Sequence, residues 1–355
     1  MPSLLCLPLL ALAYVTPRHR QDEAWSYRQA LANSALKAGL KNYTALRTRW
    51  RLSLNPRREA DRFTLIDPAS PELYKDILAD KYIQPETIGA TWYPEPLLPQ
   101  GVSKDKYVVL HFHGGSYVLG DGRTSSCGFI ADNFLQNMAT SHVLCPQHRL
   151  AYRPEGRFPA QLQDAVTAYK YLIDQMQIHP SQIVLSGDSS GGHLALDLLR
   201  YIVDFNNVSV LPAPKSSLLW SPWGDVPAAR NRNEWRQNKN YKTDYVPPSF
   251  PAWGATQFLK GLEITDEVEK YVAPMWHPFN LPAPVLVVTG QKEVLFEDHK
   301  RLAGDFKKFA GNGDKVELLS IDNVPHDVLM IGWIMGFRKE VSESTTAAGE
   351  FINAN

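Results

Sequence analysis

The run Ile183-Val184-Leu185-Ser186, followed by Gly187-Asp188-Ser189-Ser190-Gly191-Gly192 and then by the apolar stretch Leu194 to Phe205, constrains this chain more than any other segment. A short apolar run bounded by glycine reads as a buried strand, and the stretch after it as a helix. Between them, Gly-x-Ser-x-Gly forms an elbow that lifts one serine on a sharp, strained turn. Side chains at Gly187 and Gly191 would collide with the adjoining strand and helix, which accounts for both glycines. A plain glycine turn is the bland alternative, but it does not explain strand, elbow and helix together. Such a unit belongs to a parallel sheet with crossover helices, and the rest of the chain is expected to alternate accordingly.

It does. Tyr107 to Phe112, Val143 to Cys145, Val285 to Thr289, Ser217 to Trp220 and Val316 to Ser320 are further short apolar runs. Helical stretches such as Leu162 to Gln175 lie between most of them. Upstream, Ile88 to Tyr93 reads as an edge strand in a proline-broken region that also holds one helix. Near-helical spacing of Trp25, Ala32, Leu36, Leu40, Tyr43 and Leu46 predicts a helical arm from Trp25 to Trp50. Residues 222 to 278 break the rhythm with Trp223, Trp235, Trp253 and Trp276 and seven prolines, which predicts an insertion covering a site. The expected organisation is an arm over 1–60, a core over 61–221 and 279–355, and a cap insertion over 222–278.

Lys+Arg and Asp+Glu both number 37, so no net field gathers nucleic acid or anionic surfaces, and a small, weakly charged partner is expected. Cys6, Cys127 and Cys145 fit neither a disulfide framework nor a metal pattern and read as inert thiols. The apolar start, Leu4 to Val15, is too short to span a bilayer, and no Lys or Arg precedes Arg18 as a signal peptide would require. It reads as a helix packed on the protein or resting on a membrane surface, so the cytoplasm or the periphery of an internal membrane is expected, with secretion as the lesser alternative. The sequons at Asn42 and Asn207 matter only in a secretory compartment.

His113-Gly114-Gly115-Ser116 follows the strand Tyr107 to Phe112 and matches a glycine-rich oxyanion loop. The N–H groups of Gly114, Gly115, Ser116 and Ser190 are the expected donors to an oxygen that turns negative during acyl transfer. A metal at His111 and His113 lacks a third ligand and leaves the glycines unexplained. In a fold with this elbow, an acid and then a histidine follow at later strand ends. Glu293, beyond Val285 to Thr289, and His326, beyond Val316 to Ser320, fit that order, with Glu297 and Asp298 as alternative acids. Ser189 is then the nucleophile, His326 the base and Glu293 the group that holds the imidazole. His193 and His299 read as helix residues. Trp220 and Trp223 are the expected substrate-binding aromatics.

His113-Gly114-Gly115, Arg149-Leu150-Ala151, Phe158-Pro159-Ala160 with Asp164, the elbow, Glu293-Val294-Leu295 and His326-Asp327 together resemble the hormone-sensitive lipase family of α/β-hydrolases. The resemblance spans roughly residues 105 to 335 and is nearest in flavour to fungal steryl acetyl hydrolases and arylacetamide deacetylases. It implies a mostly parallel eight-stranded sheet with helices on both faces, a helical cap built from the arm and the insertion, and neither metal nor organic cofactor. It also implies a serine esterase cleaving a short acyl group, while the tryptophan-rich insertion predicts a bulky apolar alcohol. Four positions depart from the family: Ser116 for a third glycine, Ser190 for alanine, Gln147-His148 for Asp-Tyr, and Glu293 for the commoner aspartate. A fold member repurposed for cyclisation, acyl transfer or carbon–carbon bond formation is the main rival, because fold does not fix function. A ligand receptor is a third reading, although it has no need of His326.

Overall fold

The computed structural model describes residues 4–49, 52–99 and 101–355. Eight strands form one sheet: β1 Phe63–Ile66, β2 Ile88–Tyr93, β3 Tyr107–Phe112, β4 Thr140–Pro146, β5 Ile183–Asp188, β6 Ser216–Trp220, β7 Val285–Gly290 and β8 Val316–Ile321. Their order is β1-β2-β4-β3-β5-β6-β7-β8. The β1/β2 and β2/β4 pairings are antiparallel and the other five parallel. Every residue of β3, β5, β6 and β7 is buried, as strands covered on both faces require, whereas β8 leaves Glu317, Leu318 and Ser320 exposed at its edge.

Before the sheet come helices α1 Leu7–Ala13 and α2 Tyr27–Leu46. Within it come α3 Thr124–Asn137, α4 Ala160–Lys170 and α5 Ser190–Phe205. Between β6 and β7 lie α6 Arg232–Gln237, α7 Ser249–Phe258 and α8 Asp266–Val272, and the chain continues with α9 Phe296–Lys308, α10 Val328–Met335 and α11 Arg338–Ala354. The pleat sends neighbouring residues to opposite faces. Val287 thus joins a cluster with Leu162, Leu198 and Leu302 under α4, α5 and α9, while Val288 joins Ile130, Phe134, Leu329 and Phe351 under α3, α10 and α11.

Within the expected arm the helix runs from Tyr27 and stops at Leu46, where Arg47 takes the left-handed conformation. Trp50, its expected end, lies outside the described residues. A capping box between Ser26 and Gln29 sets its start. Two expectations upstream of β3 are corrected. Ile88–Tyr93 is not an edge strand, because β1 pairs along its outer side, and the region holds only 3-10 turns where one helix was expected. The helix predicted for Leu162 to Gln175 runs as α4 to Lys170 and then widens into a π turn over Tyr171–Gln175. Among the described residues no helix is long and apolar enough to cross a membrane. Leu5, Leu9, Leu12 and Val15, along and just beyond α1, are between 68% and 89% exposed.

Candidate active site

Strand β5 delivers Ser189 to an elbow with φ 53° and ψ −114°, backbone strain that only a well-determined surrounding sustains. A Cβ at Gly191 would run into Phe112 O, and one at Gly187 into Gly191 O, so β3, β5 and α5 close on each other only through these two glycines. Ser189 Oγ lies 3.0 Å from His326 Nε2, and His326 Nδ1 lies 2.7 Å from Glu293 Oε2. A carboxylate can only accept, so Nδ1 carries the proton and Nε2 keeps its lone pair toward the serine hydroxyl.

Glu293 is fully buried, and both oxygens are held. Oε1 accepts from Ser221 Oγ at 3.0 Å, Thr289 Oγ1 at 2.8 Å and Gly290 N at 2.6 Å, which leaves Oε2 for His326. Burial alone would raise its pKa, but the imidazoles of His299 and His326 beside it reverse that and hold the carboxyl well below the usual range. His326 shows the reciprocal pattern. Burial pushes its pKa down, yet the hydrogen bond and charge of Glu293, with the carboxylates of Asp244 and Asp188, leave it above the ordinary imidazole value. The alternative acids stand elsewhere: Glu297 is exposed and bonded to Lys239 and Lys300, and Asp298 lines a separate cavity.

On the opposite side of Ser189, one expectation about the glycine-rich loop is corrected. Gly114 N–H donates to Asp188 Oδ2 at 2.9 Å, so it is committed to holding the loop. A Cβ there would also strike that carboxylate. Among the described residues the N–H groups of Gly115, Ser116 and Ser190 donate to no backbone carbonyl. Ser116 and Tyr117 both have positive φ, 51° and 60°. Ser190 Oγ accepts from Tyr117 N at 3.3 Å, and Tyr117 stacks on Phe258 of α7 at 4.3 Å between centroids. The hydroxyl that replaces the usual alanine therefore ties the loop to α5. His111 is taken up by Ser186 and Asp188, and His113 by Gly114 O and a stack on His148.

A cavity of about 310 Å³ opens above Ser189. Its apolar walls are Leu36 and Leu40 of α2, Val246 and Phe250 of the insertion, and Met330 and Ile331 of α10. Trp220 and Trp223 do not line it, which corrects the expectation for both. Trp220, last in β6, points to the α3 face, where its Nε1 donates to Ser186 Oγ at 3.2 Å and its ring meets Phe134. Trp223, whose backbone N–H donates to Ser189 O, lines a second cavity of about 240 Å³ with Trp235 and Trp276. Residues that sequence reasoning missed include Ser221 and Thr289, the donors to Glu293. Both sit at or just past the ends of β6 and β7, where such donors were to be sought.

Residues 109–330 match the family described as alpha/beta hydrolase fold. The chain belongs to this family. An acetyl-hydrolase of Streptomyces hygroscopicus is 29% identical over 199 residues, 56% of this chain and 61% of that protein. Human arylacetamide deacetylase-like 2 is 31% identical over 136 residues, 36% of this chain and 33% of that protein. The chain thus spans between about a third and three-fifths of these two relatives. In fold, an esterase from the bacterial hormone-sensitive lipase family superposes with a TM-score of 0.61 over 98% of this chain and 95% of that one, at 22% identity. The resemblance to the hormone-sensitive lipase family is upheld by these comparisons.

Proposed function

We propose that the protein is a serine esterase that cleaves short-acyl esters of apolar alcohols. The observation that carries this reading is the continuous chain from Ser189 Oγ through His326 to the buried carboxylate of Glu293, at the floor of an apolar cavity. Ser189 attacks the ester carbonyl as His326 takes its proton, and the N–H groups of Gly115, Ser116 and Ser190 receive the oxyanion. His326 then returns the proton to the departing alcohol, and water repeats the cycle on the acyl-enzyme. Glu293 stabilises the imidazolium formed in each half.

The cavity supports the substrate class. About 310 Å³ lies at the low end of the roughly 300–1,000 Å³ usual for small-molecule sites, which favours a small acyl group. Its side walls are mostly aliphatic and aromatic, with Ser125, Ser126 and Asp327 as polar exceptions, so charged esters lose solvation with little to replace it. A bulky alcohol would have to extend beyond a cavity of this size. Measured kcat/KM for acetyl, butyryl, octanoyl and palmitoyl esters of one apolar alcohol should fall with acyl length, and a preference for palmitoyl would overturn the substrate class.

We also propose that the exposed ridge Leu5, Leu9, Leu12 and Val15 rests on a membrane surface. Co-sedimentation with vesicles of mixed neutral and anionic phospholipid should lose most bound protein when Leu9 and Leu12 are both changed to Ser. Equal retention of both proteins would remove the proposal.

A further inference from the structure

Immediately after β7 the chain makes the turn Gln291 to Val294, which carries Glu293. Its N–H groups at Gln291 and Lys292 donate to Ile321 O and Val324 O, and its carbonyls are bound by one segment of the insertion. Asn240 Nδ2 donates to Gln291 O at 2.9 Å and to Glu293 O at 2.8 Å. Thr243 Oγ1 donates to Lys292 O at 2.8 Å, and Asn238 Nδ2 to Val294 O at 2.9 Å. Asp244, fully buried, accepts from Val294 N at 2.7 Å and from Val246 N at 2.9 Å. All four carbonyls of the turn therefore end on side chains from residues 238–244. The segment is braced internally, since Thr243 N and Asp244 N both donate to Asn240 O.

The arm grips the same segment from outside. Asn33 of α2 donates to Thr243 O, and Lys37 donates to Tyr241 O while standing 4.2 Å from the Tyr241 ring centre. Asp22, ahead of α2, pairs with Lys292 in the turn itself at 2.6 Å.

We infer that residues 238–244 are a strap that positions Glu293 for His326, with Asn240 as the central positioning residue. The inference rests on Glu293 being the acid of the proposed mechanism. Apart from Glu293 O, which also accepts from Phe296 N at 3.3 Å, these carbonyls have no backbone donor among the described residues, and without the strap the turn could settle in several conformations. The strap replaces that freedom with donors from a single neighbouring segment. Its reach to the chemistry is short, because Glu293 Oε2 is 2.7 Å from His326 Nδ1 and displacements of roughly 1 Å are worth about 10²-fold in rate. Asn240 is the natural pivot, since its amide spans the carbonyls on both sides of Lys292. Asp244 adds a charge whose field favours the protonated form of His326.

The test is Asn240→Ala with steady-state kinetics on an acetyl ester, a pH profile of kcat/KM, and the low-field proton resonance of His326 Nδ1–H. We expect kcat to fall about 10- to 100-fold with KM changed less than about threefold. The acid limb should move to lower pH and the resonance should move or broaden, because a displaced Glu293 no longer holds that proton. Thr243→Val, which removes one bond to the turn, should show the same changes in smaller measure and serves if Asn240→Ala does not fold. Lys239→Ala, on the same strap but with an exposed side chain paired to Glu297, should match wild type. Glu293→Gln is measured beside them. If it is inactive while folded Asn240→Ala keeps wild-type kcat, limb and resonance, the strap is refuted. If Glu293→Gln itself is near wild type, the fault lies with the acid assignment. A fall in thermal stability without any change in kcat, pH limb or resonance would reduce Asn240 to an ordinary structural residue and equally overturn the inference.

Discussion

Replacement of either Ser189 or His326 by alanine should lower kcat on an activated acetyl ester by about 10⁴- to 10⁶-fold, with circular dichroism and melting temperature close to those of the parent protein. Because the two act as a unit, the double variant should lose little more than either single one. The expectation follows from the 3.0 Å contact between Ser189 Oγ and His326 Nε2 beneath an open cavity, in a loop whose fold depends on backbone contacts. A fluorophosphonate should label Ser189 and no other serine. Ser190 is the informative internal control, since it is adjacent in sequence but fully buried, with its oxygen engaged by Tyr117 N. Label found on Ser190, or activity kept without His326, would remove the proposed mechanism. Because the label reports a nucleophilic serine and not turnover, release of alcohol from an acetyl ester is what separates an enzyme from a receptor.

How much of this could be read before any coordinates depends on the range of the interactions involved. The elbow was legible because its logic is local: Gly187 and Gly191 are small for reasons of backbone contact within a few residues. Placing Glu293 and His326 needed only chain order and strand ends, which apolar runs mark well. Strand β1 was not legible, since four residues with Leu65 exposed carry little pattern. The tryptophans misled because composition says which segment is aromatic and nothing about which side of the sheet a ring takes. Trp220 alternates away from the cavity, and aliphatic residues on α2 and α10 do the lining instead. Gly114 was grouped with its neighbours because a glycine needed for close approach and one kept as a donor look alike in sequence. The strap was invisible for a further reason: the bonds from Asn238, Asn240 and Thr243 to the turn cross between 49 and 56 residues, and side chain to backbone pairs have no periodicity.

Glu293→Gln should lower kcat by about 10³- to 10⁴-fold and at the same time move the acid limb of kcat/KM to lower pH. The rate falls because a neutral amide cannot balance the imidazolium that forms when Ser189 attacks. The direction of the limb follows from the forces on His326. Only the neutral imidazole can accept the serine proton, so kcat/KM rises as pH passes the pKa of His326 in the free enzyme. In the parent protein burial pulls that pKa down, and Glu293 together with Asp244 and Asp188 lifts it above the ordinary value. Taking away the Glu293 charge leaves burial less opposed, and the pKa must fall. A limb that stays in place, or moves to higher pH, would show that Glu293 is not the group acting on His326. Glu293→Asp keeps the charge but shortens the arm by one methylene. The carboxylate cannot then reach His326 while retaining Ser221, Thr289 and Gly290 on its other oxygen, so an intermediate loss of about 10- to 100-fold is expected, with the limb shifted less than in Glu293→Gln.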